Sequence, residues 1–375
     1  MKRIAFFSLL LCLSTLNVQS QTNKTFFLGH SLINFDVPNM VAKLSDAGSQ
    51  TFSYEANIGN GATLQWHWTN PTTGQGDQWD LTLPQGGYEN FILTEAVPLE
   101  NHLQFSDSYR ITDSLCSFAE QYNPNIQYYI YETWHCTNSG NGSTSGSGGY
   151  PCDWDSNSNT PWRDRLNIDL PKWESIADSI NLIHTNPMLV IPGGQALGRL
   201  ADSIQSGSVP GLTSILDLFV DESHLDARGN YMISCVMYAV IHGTSPVGLP
   251  NQLTDQYGNL YTVYPTLVQA EIMQEVAWRT VCDYPRDGVD CAPLAISPLE
   301  QAKPTIRVYP VPANDHLTIQ YDEYLEAVPF TICDQMGKMI LKGDLDAKTS
   351  AINITEFPKG MYFLTVENQV VNFIK

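Results

Sequence analysis

Between residue 22 and residue 295, short apolar runs alternate with stretches of helical periodicity, and this alternation restricts the possible folds more than any other feature. Thr25-Phe26-Phe27-Leu28, Phe91-Ile92-Leu93, residues 126–131 and Met188-Leu189-Val190-Ile191 read as strands. None carries a charge, the pattern of strands covered on both faces. Helical spacing follows at 37–47, where Val37, Met40, Val41 and Leu44 share a face and Gly48 closes the segment, and again at 106–122, 173–184 and 227–242. Strands that alternate with helices pair in parallel through crossovers. The predicted architecture for 21–297 is therefore α/β: a doubly wound parallel sheet in three α/β/α layers. Reactive groups in such sheets gather beyond the carboxyl ends of the strands.

The rest of the chain differs. Pro298 to Pro304 reads as a linker over 298–305. Residues 306–375 show short alternating segments broken by Pro, Asn, Asp and Gly, which predicts a small antiparallel β-sandwich of about seven strands. Residues 138–149 (NSGNGSTSGSGG) have almost no apolar content and predict a solvated loop. At the start, Lys2 and Arg3 precede a mainly apolar stretch from Ile4 to Leu16 and the small-residue site Val18-Gln19-Ser20, an export signal over 1–20. No later stretch is long and apolar enough to predict a membrane span.

Export allows disulfides. Cys136 and Cys152 bracket the Gly/Ser stretch, Cys282 and Cys291 bracket a short turn, and these are the two predicted bridges. Cys116, Cys235 and Cys333 fall in apolar patterns and predict small packed side chains. No two cysteines have close metal-ligand spacing, so no zinc site and no cofactor is expected. With 19 basic against 39 acidic residues the net charge is −20, which argues against nucleic acid and against anionic lipid as partners.

Two tetrapeptides carry chemistry. In Gly29-His30-Ser31-Leu32, Ser31 follows a strand and precedes a helix, where a backbone N–H near a helix N-terminus favours developing negative charge. In Asp221-Glu222-Ser223-His224, the three-residue spacing lets Asp221 accept the Nδ1 proton of His224 and leaves Nε2 free for a serine. Nucleophile, base and orienting acid are the minimum set for acyl transfer through a serine.

Ser31 followed far downstream by Asp221-x-x-His224 resembles the SGNH (GDSL-like) hydrolase family over residues 24–245, whose fold is flavodoxin-like. The resemblance implies Ser31 as nucleophile, His224 as base and Asp221 as its orienting acid. It implies an oxyanion hole from the N–H groups of Ser31 and Gly61, within Asn60-Gly61-Ala62-Thr63-Leu64, with Gly59 as the second choice. The family's third block, Gly-x-Asn-Asp, is replaced here by Thr94-Glu95-Ala96; Thr94 is a candidate donor in place of the missing Asn. Trp66, Glu95 and Trp134 are the candidate substrate contacts, with His135 beside Trp134 and Arg163 as a further partner for an acidic sugar.

Near the C-terminus, Val308-Tyr309-Pro310-Val311-Pro312-Ala313, Gly337-Lys338, Pro358-Lys359-Gly360-Met361-Tyr362-Phe363 and the final Phe373-Ile374-Lys375 resemble the sorting domain of the type IX secretion system. Val311 stands where that family usually has Asn. This resemblance implies passage across an outer membrane, engagement of the secretion machinery, a secreted or cell-surface location and removal of the domain. The sequence thus predicts a secreted serine esterase that removes acyl groups, acetyl first among them, from an extracellular polysaccharide. A lipase or polyester-type esterase, and a non-catalytic glycan-binding surface protein, remain open alternatives.

Overall fold

The structure, a computed structural model, describes residues 23–140, 155–157, 159–291, 306–321, 328–335, 338–345, 349–366 and 369–375. The expected export signal (1–20), the linker (298–305), most of the Gly/Ser stretch, and Cys152 with its predicted bridge to Cys136 lie outside these residues. The chain divides into two compact units between Cys291 and Ala292. The Cys282–Cys291 disulfide is present. Cys116 and Cys235 are buried thiols, whereas Cys333 is half-buried.

In the first unit the strands are β1 (Lys24–Gly29), β2 (Ser53–Ile58), β3 (Gln75–Gly76), β4 (Asn90–Leu93), β5 (Gln127–Glu132) and β6 (Met188–Pro192). The sheet order is β3-β2-β1-β4-β5-β6, with every pairing parallel except that of β2 with the short β3. The helices are α1 (Asp36–Ala47), α2 (Leu64–Thr69), α3 (Trp79–Thr82), α4 (Leu99–Phe105), α5 (Ser108–Glu120), α6 (Trp162–Asn181), α7 (Gly193–Gln205), α8 (Ala227–His242) and α9 (Leu267–Asp283). The three-layer doubly wound α/β architecture expected from the sequence is the one observed. Its five parallel strands run in a flavodoxin-like order, which reverses direction at β1.

The pleat explains why these strands read as uninterrupted apolar runs. Phe27, Ile92, Tyr129 and Ile191 pack with α1, α7, α8 and α9 on one face. Phe26 and Leu28, Phe91 and Leu93, and Tyr128 and Ile130 pack with α5 and α6 on the other. Helix α8 is buried almost all round, from Gly229 to Ile241, as expected of a helix apolar on every side. Asp226 caps its start by accepting the Arg228 and Gly229 N–H groups, and Gly243 ends it in the left-handed conformation.

Among the described buried polar side chains of this unit, one carries a full positive charge. Arg165 on α6 is 0% exposed, and it bonds Asp155 (Nη2–Oδ2 2.5 Å) and Asp169 (Nε–Oδ2 3.2 Å) while donating to Asn157 O. The pairing fastens the segment around 155–157 to α6.

Among the described residues the second unit holds seven strands: β7 (Ile306–Tyr309), β8 (His316–Tyr321), β9 (Val328–Asp334), β10 (Met339–Leu345), β11 (Thr349–Asn353), β12 (Met361–Val366) and β13 (Gln369–Ile374). They form two antiparallel sheets, β10-β9-β12-β13 and β11-β8-β7. Leu317 and Ile319 of one sheet share a core with Ile332, Leu364 and Phe373 of the other, the small sandwich anticipated from the alternating pattern. Among the described residues no helix is long and apolar enough to cross a membrane.

Replacing Arg165 by Met strands the buried Asp155 carboxylate. The variant is expected to lose about 3–5 kcal/mol of unfolding free energy, read as a lower urea midpoint at unchanged m-value. Adding Asp155→Leu should recover part of the loss.

Candidate active site

Ser31 lies in the turn that leaves β1 for α1, at the point where the strand order reverses. The turn is closed by bonds from the Ile33 and Asn34 N–H groups to the His30 carbonyl. Asn34 occupies the left-handed region (φ 45°), and its Oδ1 accepts the Asp36 and Val37 N–H groups, which caps α1. Ser31 Oγ is thereby presented half-buried beyond the carboxyl end of the central strand.

His224 and Asp221 arrive from the far end of the unit. The segment from Phe219 to Leu225 forms a short bridged loop, and its stem is fixed by the Asp226 N–H to Leu218 carbonyl bond. Asp221 Oδ1 accepts the N–H groups of Ser223 (2.8 Å) and His224 (2.7 Å), so the acid shapes the loop that carries the base. Asp221 Oδ2 lies 2.8 Å from His224 Nδ1, and His224 Nε2 lies 2.8 Å from Ser31 Oγ. With the Nδ1–H donated to the Asp221 carboxylate, Nε2 is the acceptor for the serine proton. The His224 and Asp221 side chains are 35% and 34% exposed, open to a substrate and to water.

The turn is braced from below. The Gly29 carbonyl accepts both the Gly59 N–H and His67 Nε2, each at 2.9 Å. His30 is buried: its Nδ1 accepts the Leu32 N–H and its Nε2 reaches the Glu95 carbonyl at 3.0 Å. Those partners fix a neutral imidazole, and burial lowers the pKa of His30 to about 4, as it does that of His67. His30 therefore fastens the serine turn to the end of β4, and no local motif announces that role.

Gly61 has φ +66°, which favours glycine. Neither its N–H nor that of Ser31 has a protein acceptor among the described residues, whereas Gly59 has spent its N–H on Gly29. Of the two glycines considered for an oxyanion hole, Gly61 is the one with a donor to offer.

Five expectations need correction. Thr94 is fully buried and its hydroxyl donates to the Tyr131 carbonyl (2.9 Å), so it offers no proton to a substrate. Glu95 is 0% exposed and contacts no solvent-facing cleft. Its carboxyl accepts the N–H groups of Leu64 (3.1 Å) and Ala96 (2.8 Å) and the Ser108 hydroxyl (2.7 Å), which ties the start of α2 to the end of β4 and to α5. Burial pushes its pKa up to about 7, and the three donated bonds offset part of that rise. Trp134 is 2% exposed: its indole N–H donates to the Ser223 carbonyl (2.7 Å) and its ring edge meets Phe219, so no sugar ring can stack on it. His135 is buried as well, and Arg163 is paired with Asp202. Of the candidate substrate contacts, Trp66 alone keeps a partly exposed ring, in α2 just after Gly61.

Residues 307–375 match the family described as the secretion system C-terminal sorting domain. They are a sorting domain. The motif resemblance from Val308 to Lys375 is thus borne out, and the sorting domain marks the chain for secretion. For the first unit, a DUF4886 family protein from Bacteroides uniformis is 15% identical at a TM-score of 0.53, over 71% of this chain and 96% of that one, and the two share a fold. A member of the lipolytic protein G-D-S-L family from Veillonella parvula is 14% identical over 58% of this chain and 96% of that one, with a TM-score of 0.35. A carbohydrate esterase family 3 protein from Talaromyces cellulolyticus is 11% identical over 59% and 99%, also at 0.35. No curated protein sequence matches the chain.

The raised Glu95 carboxyl has a signed consequence. Between its ordinary value of 4.5 and about 7, the unfolded chain sheds a proton that the folded chain keeps. The stability that protonated Glu95 contributes below pH 4.5 is therefore lost as pH rises towards 7. In Glu95→Gln, the fall in unfolding free energy across that window is expected to be shallower than in the parent protein, as measured by urea titration at each pH; parallel curves would contradict this.

Proposed function

We propose that the chain is a secreted serine hydrolase of carboxylic esters, acting on acylated, in particular acetylated, polysaccharide outside the cell. The observation that carries the reading is the continuous contact from Asp221 Oδ2 through His224 to Ser31 Oγ, at 2.8 Å on each side of the imidazole. In this mechanism Ser31 Oγ attacks the ester carbonyl as His224 Nε2 takes its proton. Asp221 holds the imidazole in the required tautomer and stabilises the imidazolium that forms. The oxyanion is held by the N–H groups of Ser31 and Gly61. His224 then returns its proton to the leaving alcohol, and a water molecule deprotonated by His224 cleaves the acyl-Ser31 ester.

Trp66, partly exposed on α2 five residues beyond Gly61, supports a sugar-bearing substrate, because an aromatic face suits the apolar face of a pyranose. The sorting domain supports an extracellular target and engagement of type IX secretion machinery. The carbohydrate esterase among the structural neighbours is in keeping with this reading without carrying it.

Turnover of p-nitrophenyl acetate by the purified chain tests the proposal. Ser31→Ala and His224→Ala are each expected to lower kcat by about 10⁴-fold or more. Equal, background-level rates in the parent and both variants would remove the enzyme reading and leave glycan binding. Acetate release from acetylated polysaccharides, measured beside hydrolysis of long-chain acyl esters, separates a carbohydrate esterase from a lipase. Trp66→Ala should raise KM on the polysaccharide by about tenfold and leave p-nitrophenyl acetate turnover within about twofold.

A further inference from the structure

We infer that Trp134 and Thr137 form a positioning clamp for the loop that carries the base, with Trp134 the principal member; the inference rests on the hydrolase reading above. Residues 220–224 project from a two-residue bridge, and the side chains of His224 and Asp221 are both about one-third exposed. Hydrogen bonds that fix the loop backbone therefore bear directly on where the imidazole sits. The bonds inside the loop, Val220 N–H to the His224 carbonyl and the two N–H groups on Asp221 Oδ1, give it a shape without attaching it to the sheet.

Attachment comes from the residues just past β5. The Trp134 indole N–H donates to the Ser223 carbonyl at 2.7 Å. Thr137 donates to the Glu222 carbonyl twice, through its N–H at 2.7 Å and its hydroxyl at 3.1 Å. Cys136 Sγ lies 3.3 Å from Ser223 Oγ. The peptide plane between Ser223 and His224 is consequently held at both ends, its carbonyl by Trp134 and its N–H by Asp221 Oδ1. That plane sets the direction of the His224 side chain and hence the 2.8 Å reach to Ser31 Oγ. Small misplacement of a catalytic group is costly in rate, so the indole N–H acts on kcat through His224 although it touches no substrate.

The fold supplies a matched control. Trp162 is also buried, its indole N–H also donates to a backbone carbonyl (His135, 3.0 Å), and its ring also packs perpendicular to Phe219. Its acceptor, the His135 carbonyl, lies in the stretch between Trp134 and Thr137 but outside the base-bearing loop, so this bond bears on His224 only through the intervening chain. The phenylalanine variants of the two tryptophans therefore lose the same kind of bond beside the same neighbour, and they differ in whether that bond holds the Ser223–His224 peptide.

The experiment compares Trp134→Phe, Trp162→Phe and Thr137→Val in the full chain, with Ser31→Ala as the background. Melting temperature, kcat and KM for p-nitrophenyl acetate, and the low-field NMR resonance of the His224 Nδ1 proton are read for each. Trp134→Phe is expected to lower kcat by about 10- to 100-fold with KM within about twofold, and to shift or broaden the low-field resonance. Trp162→Phe should show a comparable drop in melting temperature, kcat within about threefold and an unchanged resonance. Thr137→Val should lower kcat severalfold at constant KM, which keeps the clamp testable if Trp134→Phe does not fold. Equal kcat in the two tryptophan variants, a Trp134→Phe defect confined to KM, or an unmoved resonance in Trp134→Phe would overturn the inference. Parent turnover no faster than Ser31→Ala would instead refute the hydrolase reading, and the resonance would still decide whether Trp134 holds the loop.

Discussion

The site depends first on what the end of β1 is bonded to. The Gly29 carbonyl accepts the Gly59 N–H and the His67 imidazole, and the adjoining His30 reaches across to the Glu95 carbonyl. These bonds are buried, where each unmade one would cost about 1–3 kcal/mol. They join the ends of β1, β2 and β4 into one rigid rim. Ser31 stands on that rim, held by bonds that involve neither His224 nor Asp221.

The partners come from a different kind of structure. His224 and Asp221 sit on a half-exposed loop whose form is given by hydrogen bonds to Asp221 Oδ1 and whose attachment runs through Trp134 and Thr137. A rigid nucleophile faces a tethered base, and the 2.8 Å between them is the sum of two separately built supports. The buried acids follow the same logic. Glu95 and Glu132 each lie at the carboxyl end of a strand, and each collects backbone N–H donors from a neighbouring element. Burial raises the pKa of Glu132 to about 8, offset in part by the donors from Gln195 and Gly194. Both carboxyls join elements of the fold, and neither reaches the solvent.

Much of this was legible in the chain because it rests on short-range pattern. Continuous apolar runs give β1, β4, β5 and β6, the 3.6-residue spacing gives α1, α5 and α8, and Asp221-x-x-His224 needs only a single turn to bring the acid to the base. The sorting domain is legible for a similar reason, since its blocks fall at turns and strand ends of a small sandwich. What escaped rests on distant or close contacts. Pro192-Gly193-Gly194 reads as a stop, yet α7 starts at Gly193; a Cβ there would lie 2.5 Å from the Tyr131 ring, and one at Gly194 2.6 Å from the Glu132 carboxyl. Helix α6 begins at Trp162 and runs through Pro171, well ahead of its expected start at Trp173. Strand β2 is half polar and lacks the apolar signature of its neighbours. Trp134 and Glu95 look like cleft residues because aromatic and acidic side chains often line clefts. Their actual partners, Ser223 for the indole, and Leu64 and Ser108 for the carboxyl, are too distant in sequence for any local motif to announce.

Reaction of the intact chain with a fluorophosphonate, followed by mass spectrometry of its peptides, tests the central claim most directly, because the reagent forms a stable bond only to a serine activated by its base. The account predicts a single adduct on Ser31 that vanishes in His224→Ala. An unlabelled Ser31 in the folded parent protein, or labelling that persists without His224, would contradict it.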